Sequence, residues 1–513
     1  MLRFIFYNQP LDNLYLSVEM DEFGGDFIHQ KQASILDTKV WSHSILRAIA
    51  QILDVSRFFV MNTETNPKGF DFRAVVPQNE QQAAYLSQGA ALLQAQPGTP
   101  ESQLLGIGAA GSGKSYLNMA LVAAAVDRGF RVACATPTHK ALTILQRSAR
   151  QYGISHQITF CTIQSLLGLR LNAGENGKEL QPVDAPTIGW YDLLLADEGS
   201  MINQAVWNFM RPYLSQTRFL GTGDPAQLYP VGEGLSPFFK SGMTQVKLTQ
   251  PIRQAEGPLM DVVTAARRAV TAKKRNYTWF KPDRNAINAD GTPMRVSRKA
   301  LVRSVLANID RIQDNPDTFR IVAFRNATVD QYNRVIRRAV LGPDAPQYVP
   351  GDRLLAKDRG VNSPDGQETL VHTAMEMEVL EAEETHLDGY AVWKLRVIVE
   401  GDRSPITIYA LHHDDQARFE QECEDLKAAA LRNRFLWRRY YEHLERFPNL
   451  KPCYALTVHY SQGGTYQHCG VDGKDLDTCR HAGHDSPLSR ARFYNRLWYV
   501  GLSRAAQNGY FVV

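Results

Sequence analysis

The feature that most constrains this chain is one octad, Gly108-Ala109-Ala110-Gly111-Ser112-Gly113-Lys114-Ser115, of the form G-x-x-x-x-G-K-[ST]. It follows the apolar run Leu104–Ile107 and opens a helical stretch from Tyr116 to Val126. A glycine-rich turn between a strand and a helix lets successive backbone N–H groups wrap a polyphosphate at the positive end of the helix. Lys114 then reaches the β- and γ-phosphates, and the Ser115 hydroxyl is placed to hold Mg²⁺. Such a loop works only between a strand and the helix after it. The chain is therefore expected to contain an α/β layer with a largely parallel sheet.

The flanking pattern agrees. Between residues 74 and 250, short apolar runs at Leu104–Ile107, Val132–Ala135, Leu193–Ala196 and Arg218–Gly221 alternate with helical patterns. The run Leu193-Leu194-Leu195-Ala196 ends in Asp197-Glu198. A strand that delivers two carboxylates at its end suits nucleotide hydrolysis: Asp197 to hold Mg²⁺, Glu198 to polarise the attacking water. Residues 169–189, with an Asn/Gly centre between Leu and Val residues, read as a protruding hairpin.

Composition adds bounds rather than identity. The chain has 57 basic and 53 acidic residues, a formal net charge of +4, which neither demands nor excludes a nucleic acid. At 513 residues it is long enough for several domains. Its six scattered cysteines fit a reducing compartment. No apolar run approaches the roughly 18 residues of a membrane span, and the N-terminus lacks a signal peptide's pattern. A cytoplasmic protein is expected. Residues 1–73 read as an accessory domain, with helical spacing from Ser44 to Val55. The stretch from Arg267 to Arg303 carries a net charge of +9 around Tyr277, Trp279 and Phe280. It reads equally as a strand-binding track or as a solvated loop and helix face. Val349 to His412 is strand-rich, 414–447 reads as charged helix, and 453–513 returns to an α/β pattern. His468, Cys469, Cys479, His481 and His484 match no standard zinc spacing and read as an insert between motifs.

The remaining short motifs lie between Gln78 and Arg504. Gln78-Asn79-Glu80-Gln81-Gln82-Ala83-Ala84 precedes the octad. Ala135-Thr136-Pro137-Thr138-His139-Lys140-Ala141 follows a strand candidate, and Thr162-Ile163-Gln164-Ser165 comes next. Then come Gly223-Asp224-Pro225-Ala226-Gln227-Leu228-Tyr229-Pro230, Leu248-Thr249-Gln250-Pro251-Ile252-Arg253, Thr457-Val458-His459-Tyr460-Ser461-Gln462-Gly463 and Tyr499-Val500-Gly501-Leu502-Ser503-Arg504. In this order and spacing they resemble the superfamily 1B DNA helicases of the RecD/Dda-like branch.

The resemblance implies two RecA-like lobes, at 74–245 and at 246–348 with 450–513. It implies a pin hairpin in lobe 1 and an SH3-like β-barrel with a helical tower, 349–449, inserted in lobe 2. It implies adenine reading by Gln81, with the register against Gln82 left open, γ-phosphate sensing by Gln227, and catalytic arginines at Arg253 and Arg504. Gln462 and Gly463 couple to the nucleotide. Thr136, Pro137, His139, Thr162, Ser165, Arg325, Asn326, Thr457, His459 and Ser461 become candidate DNA contacts. The implied activity is ATP- and Mg²⁺-dependent 5′→3′ movement on single-stranded DNA and unwinding of tailed or forked duplexes. The expected setting is a monomer in a bacterial or phage-infected cytoplasm, with a single-strand-binding protein or another replication or recombination protein as partner. An RNA helicase, a protein-displacing translocase and a P-loop switch without motor action stay open on the motifs alone.

Overall fold

A computed structural model describes residues 2–9, 13–20, 75–174, 177–230, 232–250, 257–271, 282–363, 369–402, 404–481 and 486–513. The chain divides into two units, residues 1–65 and 66–513. In the first, β1 (Leu2–Gln9) and β2 (Asn13–Met20) form an antiparallel ladder, with Leu2 opposite Met20 and Gln9 opposite Asn13. The helix expected over Ser44–Val55 lies outside the described residues.

Lobe 1 is a six-stranded, all-parallel sheet. Its strands are β3 (Gln103–Gly108), β4 (Val132–Thr136), β5 (Ile158–Thr162), β8 (Leu193–Ala196), β9 (Arg218–Gly223) and β10 (Thr244–Leu248), in the order β10-β3-β9-β8-β4-β5. β4 and β8 are buried at every position, as strands covered by helices on both faces must be. Each buried leucine of β8 contributes about 1.5–3 kcal/mol. Helices α1 (Glu80–Gln94), α2 (Lys114–Val126) and α3 (His139–Gln151) cover one face. Asn79 and Thr138 cap α1 and α3 by accepting from backbone N–H groups of their first turns. The hairpin β6 (Leu169–Gly174) and β7 (Gly177–Pro182) stands where expected and ends at Pro182, short of 189.

The expected boundary at residue 245 falls inside β10. That strand pairs in parallel with β3, so lobe 1 runs at least to Leu248. The polar Thr-Gln-Val-Lys-Leu sequence of this edge strand hid it from an apolar-run criterion.

Lobe 2 is a second parallel sheet, ordered β11-β22-β21-β12-β20. Its strands are β11 (Arg295–Val296), β12 (Phe319–Ala323), β20 (Ala455–Thr457), β21 (Tyr466–Asp472) and β22 (Ala505–Val512). Helices α4 (Pro258–Val270), α5 (Arg298–Leu306), α6 (Asn326–Leu341) and α9 (Pro487–Leu502) flank it. Between β12 and β20 the chain builds an antiparallel sheet, β18-β17-β16-β13-β19. It comprises β13 (Arg353–Lys357), β16 (Glu376–Leu387), β17 (Tyr390–Val399), β18 (Ile406–Leu411) and β19 (Asn449–Pro452), with a short hairpin of β14 (Val361–Asn362) and β15 (Thr369–Val371) beside it. β19 closes on β13, so the insert extends past the expected limit at 449.

Helices α7 (His413–Arg432) and α8 (Trp437–Leu444) rise from this sheet over a core of Tyr390, Phe419, Cys423 and Phe447. α8 lies against β6 of the lobe 1 hairpin. Among the described residues no helix is long and apolar enough to cross a membrane.

Candidate active site

Parallel α/β sheets present their chemistry at the carboxyl ends of their strands. Here the octad follows β3, the Thr-Pro-Thr-His element β4, Thr162 β5, Asp197-Glu198 β8, Gly223-Asp224 β9 and Thr249 β10. Topology alone therefore brings these motifs to one edge. In the octad, Gly111 and Gly113 have φ of 77° and 85°, values an L side chain rarely adopts. A Cβ on Gly108 would sit 2.9 Å from the Leu248 carbonyl oxygen. Lys114 Nζ folds back to donate to the carbonyls of Gly108 (2.9 Å) and Ala109 (2.8 Å). Ser115 stands in the first turn of α2.

The two glutamines before the octad divide their work. Gln82 is buried and donates to the Ser112 carbonyl (3.2 Å), bracing the loop. Gln81 exchanges hydrogen bonds with Thr249: its Nε2 donates to Oγ1 (2.9 Å) and its Oε1 accepts from the Thr249 N–H (2.8 Å). Both ends of the Gln81 amide are therefore engaged by Thr249.

A buried chain supports the acidic pair. Tyr85 donates to Asn118 (2.7 Å), Asn118 to Thr222 (3.1 Å), and Thr222 to Asp197 Oδ1 (2.5 Å). Glu198 occupies the left-handed region, φ 54° and ψ 40°, a strained conformation for a non-glycine residue. Burial, reinforced by Asp197, pushes its carboxyl up to about 7, while Lys114 and Arg504 pull it down. Arg504, from lobe 2, thus acts electrostatically on the lobe 1 acid. Its own guanidinium is buried and bonded to the Val500 carbonyl, the Gly464 carbonyl and the Ser503 hydroxyl. Arg253 lies outside the described residues.

The lobes meet on the Gly223–Pro230 loop. Ala226 and Leu228 pack into the lobe 2 core beside Val262, Val263 and Tyr494. Gln462 donates to Gln227 Oε1 (3.0 Å), both side chains being buried. Gly463 follows with φ 85°. Two residues of α9 that carried no sequence-derived role complete the contact. Tyr499 donates to Asp224 and accepts from the Ala110 N–H (2.9 Å). Arg496 donates to the carbonyls of Pro225 and Gln227 (2.6 Å each) and to the Tyr229 hydroxyl, and burial draws its pKa down to about 10. Arg267 of α4 pairs with Asp224 at 3.2 Å. Between the lobes lies a cleft of about 640 Å³, lined by Asn79, Ala109, Ala110 and Thr249 on one side and Val263, Arg267 and Tyr499 on the other. The cleft is bordered by the octad and by both lobes.

The strand-gripping candidates separate into outward and inward groups. Pro137 and His139 are half-buried; Ser165, Asn326 and His459 are exposed. Arg325 is half-exposed but held by Asp475 at 2.6 Å. Burial, with His372 stacked 3.5 Å away, draws His139 down to about 4, which favours its neutral ring. Four hydroxyls, those of Thr136, Thr162, Thr457 and Ser461, do not face outward as expected. Thr136 is buried and donates to the Thr138 carbonyl (2.7 Å), and Ser461 is buried and donates to the Val458 carbonyl (2.9 Å). Thr457 is buried and accepts from the Tyr460 N–H. They shape their loops.

Thr162 accepts from the Ser165 N–H (3.1 Å), capping the short helix after β5. In the basic stretch, Arg295 donates to the Pro282 carbonyl and Arg298 pairs with Asp472, so these two serve lobe 2 internally, while Arg267 reaches across to Asp224 of lobe 1. Tyr277, Trp279 and Phe280 lie outside the described residues. Cys469 and Cys479 are buried, and burial pushes both thiols up to about 12. The one His/Asp cluster found among the described residues is elsewhere, at His412, His413 and Asp414.

Residues 85–281 match the AAA domain family. The chain is 24% identical over 437 residues to the ATP-dependent DNA helicase dda of Enterobacteria phage T4, covering 79% of this chain and 93% of that protein. It is 22% identical over 448 residues to the uncharacterized protein R530 of Acanthamoeba polyphaga mimivirus, covering 72% and 89%. Among solved structures it is similar to a Pif1 helicase from Bacteroides in complex with ADP-AlF3 and ssDNA, at 15% identity and TM-score 0.45, covering 85% and 92%.

Proposed function

We propose that this chain is an ATP-dependent helicase of superfamily 1B that moves 5′→3′ along single-stranded DNA and opens tailed or forked duplexes. The observation that carries the reading is the shared loop: Gly223–Pro230 belongs to lobe 1 yet is packed into lobe 2 and bonded to Gln462, Arg496 and Tyr499. Whatever nucleotide does to the lobe 1 site is felt by lobe 2 through that loop, which is what a motor requires and a simple switch does not. The relation to a phage DNA helicase along most of both chains supports the same reading.

In this mechanism Lys114 leaves its carbonyl partners for the β- and γ-phosphates, and the octad's N–H groups hold the rest. Ser115 and Asp197 offer oxygen donors only, the set Mg²⁺ prefers, so they fit the ion. When bound, Mg²⁺ neutralises phosphate charge. Glu198 takes the proton from the attacking water. Gln227 senses the γ-phosphate and passes its state to Gln462 and Gly463. Arg504, joined by Arg253, neutralises the charge that develops in transfer. Gln81 exchanges Thr249 for the adenine edge.

Pro137, His139, Ser165, Asn326 and His459 touch the strand, while Thr136, Thr162, Arg325, Thr457 and Ser461 set the loops that carry them. The insert serves as the SH3-like element and α7–α8 as the tower beside the lobe 1 pin. The enzyme works as a cytoplasmic monomer alongside a single-strand-binding protein. The test is ATP hydrolysis with and without single strands, together with unwinding of 5′- and 3′-tailed duplexes of DNA and RNA. Strong stimulation and opening of the 5′-tailed DNA duplex are expected; opening of 3′-tailed duplexes alone would refute the polarity.

A further inference from the structure

Lys140 ends the Thr-Pro-Thr-His-Lys element, where a lysine reads as one more phosphate contact. The structure spends it differently. Lys140 is 5% exposed, and its Nζ donates to Glu376 (3.1 Å) and Glu400 (2.7 Å), both from the insert. Glu376, at the start of β16 and 3% exposed, also pairs with Arg320 of the lobe 2 strand β12. One carboxylate therefore sits between a cation from each lobe. Arg147, one helical face along α3, bridges Glu400 (2.9 Å) to Asp317 of lobe 2 (3.1 Å). Arg150 donates to the Gly401 carbonyl (2.9 Å), and His139 stacks on His372 of the insert.

Three cations (Lys140, Arg147, Arg320) face three carboxylates (Glu376, Glu400, Asp317), so the cluster is neutral and holds no spare charge for a phosphate. Burial works against ionisation of Glu376, yet Arg320 and Lys140 hold it down at about 2, so the pairs stay charged at working pH. A buried, fully paired cluster resists change, because removing one member strands the others in low dielectric. An apolar contact would have tolerated sliding; this one fixes position.

We propose that Glu376 is a positioning residue: it clamps the strand-gripping loop after β4 onto the insert and lobe 2, and so sets the height of Pro137 and His139 above the DNA path. The proposal rests on the helicase reading. The experiment is a DNA titration of ATPase activity and of binding to a fluorescent single strand for wild type, Glu376→Gln and Lys140→Met, each at several salt concentrations.

Glu376→Gln adds one unit of positive charge near a polyanion. Electrostatics alone predicts tighter DNA binding, whereas lost positioning predicts about tenfold weaker binding with DNA-free ATPase and KM for ATP unchanged. Lys140→Met should weaken binding without altering the salt slope, whereas loss of a direct phosphate contact would reduce that slope by about one. Where circular dichroism shows Glu376→Gln unfolded, Lys140→Met carries the test, since it leaves the Glu376–Arg320 pair intact. Tighter binding by Glu376→Gln, a smaller salt slope for Lys140→Met, or DNA-free ATPase falling in parallel overturns the clamp. A wild type whose ATPase ignores single strands overturns the helicase reading itself.

Discussion

Glu198→Gln should separate what this residue does for chemistry from what it costs the fold. Its carboxyl stands at about 7 against an ordinary 4.5, with burial as the main cause and Asp197 second. That difference corresponds to about 3 kcal/mol in favour of the protonated form. A raised carboxyl pKa adds stability that is complete below about pH 4.5 and lost as pH rises through about 7. At pH 8 the wild type therefore carries an ionised, poorly solvated carboxylate beside Asp197. Glutamine keeps the shape and the same left-handed backbone, so only the charge changes.

The nucleotide-free Glu198→Gln variant is expected to be more stable than wild type at pH 8 by up to about 3 kcal/mol, and nearly equal to it at pH 4.5. Urea denaturation of lobe 1, followed by tryptophan fluorescence at both pH values, measures the difference. The same ionisation should appear in the wild-type rate: DNA-stimulated turnover rises with pH through about 7, because Glu198 accepts a proton only when ionised. A gain in stability that is independent of pH, or a flat rate profile between pH 6 and 8, refutes the reasoning.

Two further outcomes follow from the site. Lys114→Ala should lower ATP turnover by about 10³-fold with the fold intact, since the side chain's own partners are two loop carbonyls; filter binding and steady-state hydrolysis check this. Arg496→Ala leaves the buried Gln227 carbonyl, the half-buried Pro225 carbonyl and the Tyr229 hydroxyl without their donor, so it should cost about 2 kcal/mol of stability and reduce stimulation by DNA more than DNA-free turnover.

What could be read from the residues was whatever is local. The octad, the Asp197-Glu198 pair and the strands around them are contiguous, and each requires one conformation. The hairpin, the β-rich insert and the helical arm were likewise visible from period and turn residues. What escaped was built from separated pieces. Arg496 and Tyr499 meet the Gly223–Pro230 loop across hundreds of residues, and nothing in α9 marks them as polar anchors in an apolar face. Lys140 is a like case: nothing in its motif assigned it a role, and only the arrival of Glu376 and Glu400 reveals an internal partner. Thr136, Thr457 and Ser461 have suitable hydroxyls, but a loop needs hydroxyls to hold itself before it can hold a strand. The edge strands β10 and β19 were missed because they are polar and short.

The order of strands in the second sheet carries a consequence for synthesis. Lobe 1 is assembled from one continuous stretch, and the antiparallel insert from another. Lobe 2 instead needs β22, Ala505–Val512, between β21 and β11 before its sheet is continuous. As the chain emerges, the octad and its acids are complete while the lobe 2 sheet still lacks the strand between β21 and β11. Non-local pairing of this kind is slow, and until β22 docks the flanks of β11 and β21 stay open to wrong partners. The nascent protein can therefore form its phosphate loop early, but the lobe 2 sheet becomes continuous only when β22 enters.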